Sequence, residues 1–275
     1  MPAASGSRQI GKNIQFEGTD MIMTVPRIAH IYRYPVKGLN GERLVETQLT
    51  AGKGIPFDRI YAIAHGDTEF DPHNPQYLGK RHFLMLMKEN RLAELDAAFD
   101  AGKKMLTLRK DGQQCLVTRL DHAEDVAAFN AFFEAFMAGQ TRGGVKLVTA
   151  PGHMFADIPD QNLSFINLES VKDFESKTGL VIDHRRFRGN IYLKDLEAWR
   201  EFDLLGKRFQ IGEAVFQGAK KIERCAATNV NPDTADKDMN IPLQLRKTYG
   251  HFDMGIYVDV IQGGQIRQSD RLVIL

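Results

Sequence analysis

Only two cysteines, Cys115 and Cys225, occur in this chain of 275 residues. A disulfide framework, an all-cysteine zinc site and a thiolate-bound iron–sulfur cluster all need more thiols, so these three classes are excluded. No run approaches the roughly 18 apolar residues that a membrane-spanning helix needs. Lys and Arg total 36 against 35 for Asp and Glu, so no global field attracts nucleic acid or anionic lipid. We therefore expect neither nucleic acid nor a membrane as partner.

Short sequence motifs for common chemistries are also missing. The chain has no G-x-x-x-x-G-K-[ST], G-x-G-x-x-G, H-E-x-x-H, C-x-x-C or G-x-S-x-G. The usual nucleotide cradles, the zinc-protease helix, the dithiol redox pair and the serine nucleophile elbow are thus excluded. Residues 1–20 contain no apolar segment of the kind that a secretory signal carries. The sequence predicts a disordered extension over residues 1–22 and a cytoplasmic location.

What is present is ordinary globular composition, with 43% hydrophobic and 26% charged residues. At ~150 residues per domain, the length corresponds to about two domains. Short runs rich in Ile, Val, Tyr and Phe alternate with Gly, Pro and Asn, which is typical of strands and turns. Strands are predicted over residues 25–36, 44–49, 59–65, 104–108, 189–193, 208–216, 255–261 and 265–275. The polar segment 67–80 is predicted to be a loop.

Two helices are predicted among these strands. In residues 122–139, apolar side chains recur every three or four positions, and Gly139 suits a helix end. Residues 168–177 form the second, with Asn167 as N-cap and Gly179 after its last turn. The expected fold is mainly β (α+β), with two β-rich, barrel-like domains joined by a helix and a site between them. The domains would be 23–118 and 119–275, the second opening with the linker helix 122–139.

Cys225 has an unusual neighbourhood. Three cations, Lys220, Lys221 and Arg224, lie within the five residues before it. Nearby positive charge favours the thiolate, which is both a nucleophile and a soft metal ligand. The alternative is a buried cysteine that acts as a small hydrophobic residue, with its cations on a solvated face. Cys115 is flanked by uncharged side chains and is interpreted as structural.

Basic residues beside glycine recur at two places. Residues 183–190, Asp-His-Arg-Arg-Phe-Arg-Gly-Asn, precede a predicted strand, and Lys37-Gly38 ends another. Glycine next to a cation lets backbone and side chain approach an anion such as a phosphate together. Asp58-Arg59, before a third strand, repeats the theme. A solvated basic loop is the alternative for each, and a plain surface turn is the alternative for the Asx- and Pro-rich segment 229–234.

Taken together, these segments resemble the MOSC family. Tyr34-Pro35-Val36-Lys37-Gly38 resembles the opening of the MOSC N-terminal β-barrel domain, and Asp58-Arg59 resembles its D-R signature. Residues 186–191, Arg-Phe-Arg-Gly-Asn-Ile, resemble the F-R-x-N-[IV] element of the MOSC domain. Glu223-Arg224-Cys225, followed by Thr228 and 231–234, resembles its R-C…T-x-[DN]-P-[DE]-T motif. The four elements occur in family order over residues 24–275.

The resemblance implies a molybdenum cofactor, in which a pterin dithiolene holds the metal and Cys225 adds a protein ligand. The positions that match cofactor-binding residues are Lys37, Gly38, Arg59, Ser164, Phe165, Arg188, Asn190, Glu223, Arg224 and Tyr257. Gly38 departs from a frequent serine and so loses a hydroxyl contact. Some bacterial relatives carry a fused [2Fe–2S] domain that needs four cysteines. We expect no iron–sulfur cluster here, so electrons must come from a separate protein.

The layout is similar to that of the mitochondrial amidoxime-reducing component and of bacterial proteins that confer resistance to N-hydroxylated base analogues. The resemblance thus implies an oxidoreductase that reduces N-hydroxylated small molecules with two electrons and two protons. Its electron donor would be a ferredoxin, flavodoxin or cytochrome-type protein with its own reductase. Asp233 is our candidate for a catalytic proton donor, with His251 as a second.

Two other functions stay open at this point. MOSC domains also form part of molybdenum cofactor sulfurases, so the protein could carry cofactor or sulfur through a persulfide on Cys225. In the third interpretation the chain is a β-rich interaction module in which Cys225 is structural.

Overall fold

The computed structural model describes residues 25–275, so the predicted extension 1–22 lies outside the described residues. Those residues are mainly β, which confirms the expected fold class. The strands are β1 Arg27–Arg33, β2 Val36–Lys37, β3 Glu42–Leu44, β4 Glu46–Leu49, β5 Tyr61–His65, β6 Leu95–Asp100, β7 Met105–Lys110, β8 Gln113–Arg119, β9 Val145–Thr149, β10 Leu163–Asn167, β11 Ile191–Lys194, β12 Arg208–Ile211, β13 Ala214–Glu223, β14 Asp253–Gln262, β15 Gly264–Arg267 and β16 Leu272–Ile274. The α-helices of the described chain are α1 Ala123–Phe136, α2 Leu168–Thr178 and α3 Ile241–Tyr249. In residues 25–275, no helix combines the length and apolar character that crossing a membrane requires.

An eight-stranded sheet dominates the second half of the chain. Its order is β16-β12-β13-β14-β10-β11-β1-β3, so the first strands of the chain complete a sheet built mostly from the last ones. β1 runs antiparallel to β11, and β4 pairs with β15 in a separate two-stranded ribbon. The division of the chain at residue 118 stays a prediction, but β1 and β3 lie with the C-terminal strands in space.

Two three-stranded sheets, β2-β5-β9 and β6-β7-β8, make up the other β unit. Helix α1 joins the two units along the chain and packs on β8 and β9. Phe129 and Phe133 are its fully buried residues, and they belong to the same apolar cluster as Val36 and Ile63. The linker helix therefore also closes the core of the first unit.

Helix α2 follows the sequence signals closely. The Asn167 side chain accepts a hydrogen bond from the Glu169 amide at 3.1 Å, which satisfies one of the free donors of the first turn. Gly179 ends the helix at φ 70°, a conformation that glycine adopts without steric cost. Both ends of the predicted helix 168–177 are thus confirmed to within one residue.

Several predicted strands are broken in the structure. Residues 25–36 form β1 and β2, separated at Tyr34 and Pro35, because proline has no N–H for the ladder. Residues 44–49 divide at Val45, which is 73% exposed. The predicted strand 208–216 is a hairpin that turns at Gly212, φ 58°. Residues 265–275 supply β15 and β16 to two different sheets.

Five elements of the structure were not predicted. They are the strands β6, β8, β9 and β10 and the helix α3. The signals for α3 were present, since Asn240 caps it, Pro242 lies in its first turn and Gly250 ends it at φ 80°. Cys115 lies on β8 with its side chain exposed, and its thiol donates to the Leu108 carbonyl at 3.4 Å, so its interpretation as structural stays a prediction.

Candidate functional site

A cavity of about 860 Å³ gathers most of the residues that the sequence singled out. It is lined by the ends of β2, β10, β13 and β14 and by the loops before β5 and β11. Ten of the predicted residues lie in its wall: Lys37, Gly38, Arg59, Ser164, Arg188, Asn190, Glu223, Arg224, Cys225 and Tyr257. Motifs that are almost two hundred positions apart along the chain thus share one site.

Three candidates lie elsewhere. Phe165 is fully buried and packs on Phe209 and Phe216, because successive side chains of β10 point to opposite faces and Ser164 takes the cavity side. Asp233 is absent from the cavity wall; its side chain is 66% exposed and accepts two hydrogen bonds from Arg185, at 2.8 and 2.7 Å. His251 is also outside the wall and stacks on an aromatic ring beside it.

Two arginines share one aromatic support in the cavity wall. The guanidinium carbons of Arg59 and Arg188 lie 4.7 and 4.6 Å from the ring centre of buried Tyr34. Both residues have left-handed backbones, φ 51° and 49°, a strain of about 1 kcal/mol or more each. Such strain persists only where neighbouring contacts impose it, and here it directs both cations to one point.

Their counter-charges differ. Arg59 pairs with the carboxylate of Asp58, which is buried and also accepts a hydrogen bond from the Tyr34 amide at 2.7 Å. Arg188 donates to the Leu39 carbonyl at 2.7 Å, and residues 25–275 place no carboxylate within 4.0 Å of it. Burial lowers the pKa of Arg188, because desolvation disfavours its charged form. Arg188 is a partly buried cation that the described protein leaves without a counter-ion.

Lys37 is the third cation of this group. Its side chain is 8% exposed, and its ammonium donates to the Phe155 carbonyl at 3.0 Å and to Asp157 Oδ1 at 2.5 Å. Desolvation lowers the pKa of Lys37 against the opposing influence of the Asp157 carboxylate. Sequence reasoning missed Asp157, since it lies in the loop before β10 and belongs to no motif.

Cys225 follows β13 directly and is half-buried. Its carbonyl accepts hydrogen bonds from the amide and hydroxyl of Thr228, at 3.1 and 2.9 Å, which fixes the backbone beneath the sulfur. Arg224 donates through Nε to the Met254 carbonyl at 2.8 Å and through Nη1 to the Phe187 carbonyl at 3.0 Å. Its charge thus faces carbonyl dipoles rather than a carboxylate.

The donor set restricts what metal centre Cys225 can join. In residues 25–275, no group of three His, Cys, Asp or Glu side chains could hold an ion. A metal at Cys225 would therefore have a single protein thiolate and would need its other ligands from a small molecule. A dithiolene-bound molybdenum meets that condition, whereas a tetrahedral structural zinc does not.

Two buried polar atoms in residues lining the cavity have no protein partner within the described chain. One is Arg186 Nε, and the other is Asn162 Oδ1. The amide orientation of Asn162 is set by Asp259, since its Nδ2 must donate to that carboxylate, at 2.5 Å. Buried polar atoms are nearly always hydrogen-bonded, so these two atoms are exceptions in the residues of the cavity wall.

The cavity is strongly basic. Its wall holds eight basic side chains, Lys37, Arg59, Lys80, Arg186, Arg188, Lys220, Lys221 and Arg224, and three carboxylates, Asp157, Glu223 and Asp253. A low-dielectric cleft lined by one sign of charge concentrates ligands of the opposite sign. The residues present thus fit a phosphate-bearing, polar ligand that also coordinates a thiolate.

Ser164 and Asn190 are joined by reciprocal hydrogen bonds in the cavity wall. The Ser164 hydroxyl donates to Asn190 Oδ1 at 2.9 Å and accepts from the Asn190 amide at 3.0 Å. Asn190 Nδ2 donates to the Tyr32 carbonyl at 3.3 Å, which ties β1 to this corner. Across from them, burial raises the pKa of Tyr257, so its hydroxyl stays protonated at neutral pH.

Comparison with known families agrees with this geometry. The description "MOSC N-terminal beta barrel domain" matches residues 25–145, and the description "MOSC domain" matches residues 139–273. The chain belongs to the MOSC family. MOSC domains are associated with binding of the molybdenum cofactor, and members of the family are often enzymes that use it.

Solved structures that resemble this MOSC protein do so distantly. The YUAD protein from Bacillus subtilis is 12% identical, with 90% of this chain and 94% of that one covered and a TM-score of 0.43. YiiM from Geobacillus stearothermophilus is 21% identical, with 41% of this chain covered and a TM-score of 0.34. YiiM from Escherichia coli is 22% identical, with 41% of this chain covered and a TM-score of 0.29. The matched region spans 53% of each YiiM chain. No curated protein sequence matches the chain.

Proposed function

We propose that this MOSC protein binds the molybdenum cofactor with Cys225 as metal ligand and reduces N-hydroxylated small molecules, taking electrons from a separate redox protein. The observation that carries the proposal is the joint position of Cys225 and of Arg188 in one cavity wall. A partly buried cation without a counter-ion is costly unless an anionic ligand neutralises it, and the thiol beside it offers such a ligand a metal-binding group. The resemblance to the amidoxime-reducing proteins supports the choice of substrate.

The residues divide into two groups by what they would hold. Lys37, Arg59 and Arg188 would bind the phosphate of the cofactor, since charge-assisted hydrogen bonds to phosphate are among the strongest available. Cys225, on the fixed backbone after β13, would be the protein ligand of the metal. When bound, the cofactor supplies two-electron oxygen-atom chemistry.

Reduction of an N–OH group to N–H and water consumes two electrons and two protons. Asp233 is poorly placed to supply the protons, because it lies outside the cavity and pairs with Arg185. Asp253 lines the cavity and lies opposite Glu223 in the β13–β14 register, two positions before Cys225. Asp253 is thus the better placed group to hold and deliver a proton.

His251 is a direct neighbour of Asp253. Its Nδ1 accepts a hydrogen bond from the Asp253 amide at 3.1 Å, so the neutral ring carries its proton on Nε2. The same Nδ1 lies 3.8 Å from Asp253 Oδ2. These two contacts hold the His251 ring beside the Asp253 carboxylate.

The proposal is tested by molybdenum content per chain in protein from a host that makes the cofactor. We expect near-stoichiometric molybdenum in wild type and loss to background in Cys225→Ala, with equal melting temperatures when both proteins are compared cofactor-free. Cys115→Ala is the matched control, because it removes the exposed thiol, and it should keep the metal. Equal molybdenum in Cys225→Ala and wild type would refute the ligand assignment.

Turnover separates an enzyme from a carrier. A chemically reduced viologen dye in the presence of molybdenum-loaded protein should be oxidised when an amidoxime or hydroxylamine is added. Full metal content without any dye oxidation would instead favour the cofactor or sulfur carrier.

A further inference from the structure

The carboxylate of Asp157 lies where an anionic ligand of the cavity would be expected. Its Oδ1 is 2.5 Å from Lys37 Nζ, and it belongs to the loop between β9 and β10, which lines the cavity. The Asp157 side chain is 62% exposed, whereas that of Lys37 is 8% exposed. The carboxylate thus approaches a buried cation from the solvent side.

All three cations of the phosphate-binding group act on this carboxylate. Desolvation raises the pKa of Asp157, but Lys37, followed by Arg59 and Arg188, outweighs it and lowers the pKa to about 2. Asp157 is therefore ionised at neutral pH. No other carboxylate of residues 25–275 pairs with Lys37.

Charge counting shows what the group can accept. Lys37, Arg59 and Arg188 carry three positive charges, and buried Asp58 pairs with one of them. With Asp157 in place, one positive charge stays unmatched. Without it, two stay unmatched, which equals the charge of a phosphomonoester dianion at neutral or higher pH, roughly −1.5 to −2.

We propose that Asp157 occupies the phosphate position in the ligand-free protein and is displaced when a phosphate dianion binds to Lys37, Arg59 and Arg188. The inference rests on the proposed function, because the phosphate would be that of the cofactor. Asp157 would prevent smaller anions from filling the site permanently and would hold the cations together until the ligand arrives.

The surrounding contacts permit the exchange. Lys37 keeps its second acceptor, the Phe155 carbonyl at 3.0 Å, when the carboxylate leaves. The backbone carbonyl of Asp157 accepts a hydrogen bond from Tyr77 at 2.8 Å, so the loop stays attached while the side chain rotates outward. Only an exposed side chain has to move.

The test measures the affinity of the cofactor-free full-length protein for inorganic phosphate by calorimetric titration at pH 8 and low ionic strength. Asp157→Asn should bind phosphate about tenfold more tightly than wild type, since it no longer competes for the cations. Asp160→Asn is the matched control in the same loop, where Asp160 is 3.8 Å from Lys220, and its affinity should stay within about twofold of wild type. Equal or weaker binding by Asp157→Asn would overturn the inference.

A second measurement needs no variant. The NMR chemical shift of the Asp157 side-chain carboxyl carbon in wild type should change when phosphate is added, because the Asp157–Lys37 contact is lost while the backbone stays in place. An unchanged carboxyl shift at saturating phosphate would contradict displacement.

Molybdenum-loaded protein then distinguishes the phosphate of the cofactor from free phosphate. If the cofactor uses this site, inorganic phosphate in the dialysis buffer should accelerate molybdenum loss from wild type. Tighter phosphate binding by Asp157→Asn without accelerated metal loss would assign the site to another phosphate ligand. The Cys225→Ala metal assay is independent of either result, so the two proposals can fail separately.

Discussion

Two clusters of buried ionisable groups in this protein differ in how the charge of the central group is compensated. Near helix α2, Glu201 is fully buried, and its Oε2 accepts hydrogen bonds from Asn167 Nδ2 at 3.0 Å and Ser170 Oγ at 2.8 Å. In the cavity, partly buried Arg188 has a carbonyl acceptor but no carboxylate within the described chain. In the first cluster protein donors satisfy Oε2 of the carboxyl but leave Oε1 without a partner in the described chain, and in the second the cation faces an open cavity.

The difference follows from what each group can do with its proton. A buried carboxyl can stay protonated and neutral, and burial does raise the pKa of Glu201. A guanidinium cannot release its proton in a protein. The α2 cluster therefore needs no counter-ion, whereas the cavity needs an anion. Buried charge marks a binding site here only where the charge cannot be removed by titration.

The largest expected loss of stability is in the closed cluster. Glu201→Ala would leave the Asn167 amide and the Ser170 hydroxyl without their buried acceptor, at a cost of about 3 kcal/mol in the free energy of unfolding. Glu201→Gln keeps an acceptor oxygen and should stay within about 1 kcal/mol of wild type. Urea denaturation measures both, and a Glu201→Ala protein as stable as wild type would remove the contrast with the cavity.

An intermediate effect is expected from pH. Because the folded pKa of Glu201 lies above its usual 4.5, the native state holds a proton that the unfolded chain has lost. The free energy of unfolding should then fall as pH rises from 4.5 through the folded pKa, by at most about 1.4 kcal/mol per pH unit. Glu201→Gln lacks this dependence, so its stability relative to wild type should improve between pH 4 and pH 8. A pH-independent difference would show that Glu201 ionises freely.

The smallest change in stability is expected at Arg188. Arg188→Met removes a cation without a counter-ion along with one hydrogen bond and the contact with Tyr34, so the opposing contributions should leave the ligand-free protein within about 1 kcal/mol of wild type. Molybdenum retention should nevertheless fall strongly. Thermal unfolding of the ligand-free variant and its metal content are the two measurements. A large loss of stability with normal metal content would make Arg188 a structural residue.

The sequence identified residues that share one cavity wall better than it located the limits of the strands. Cysteine and arginine positions could be inferred because their chemistry is local: Cys225 stands beside its cations, and Arg188 beside a glycine. Helix α2 could be predicted equally well, since its N-cap residue and the glycine that ends it both lie next to the helix in the sequence. The limits of the strands could not be predicted equally well, because Pro35 and Gly212 interrupt apolar runs that the pattern predicts as continuous strands.

Asp157 and Asp253 show why the rest could not be inferred. Each enters the cavity from a segment that no motif covers, and each acquires its importance from a partner distant along the chain, such as Lys37 for Asp157. Phe165 shows the reverse error, since a resemblance assigns a segment but not the face to which each side chain points. Pairing across a sheet decides that, and pairing is a property of the folded chain.

The pairing of β4 with β15 also has a consequence during translation. Arg267 and its partner Glu46 are 221 positions apart, so this ribbon cannot form until nearly the whole described chain has left the ribosome. Lys37 and Arg59 emerge early, but the strand that carries Tyr257 emerges late, and contacts of such long range form slowly. Nascent chains should therefore be unable to hold the ligand, and loading would follow release of the finished polypeptide.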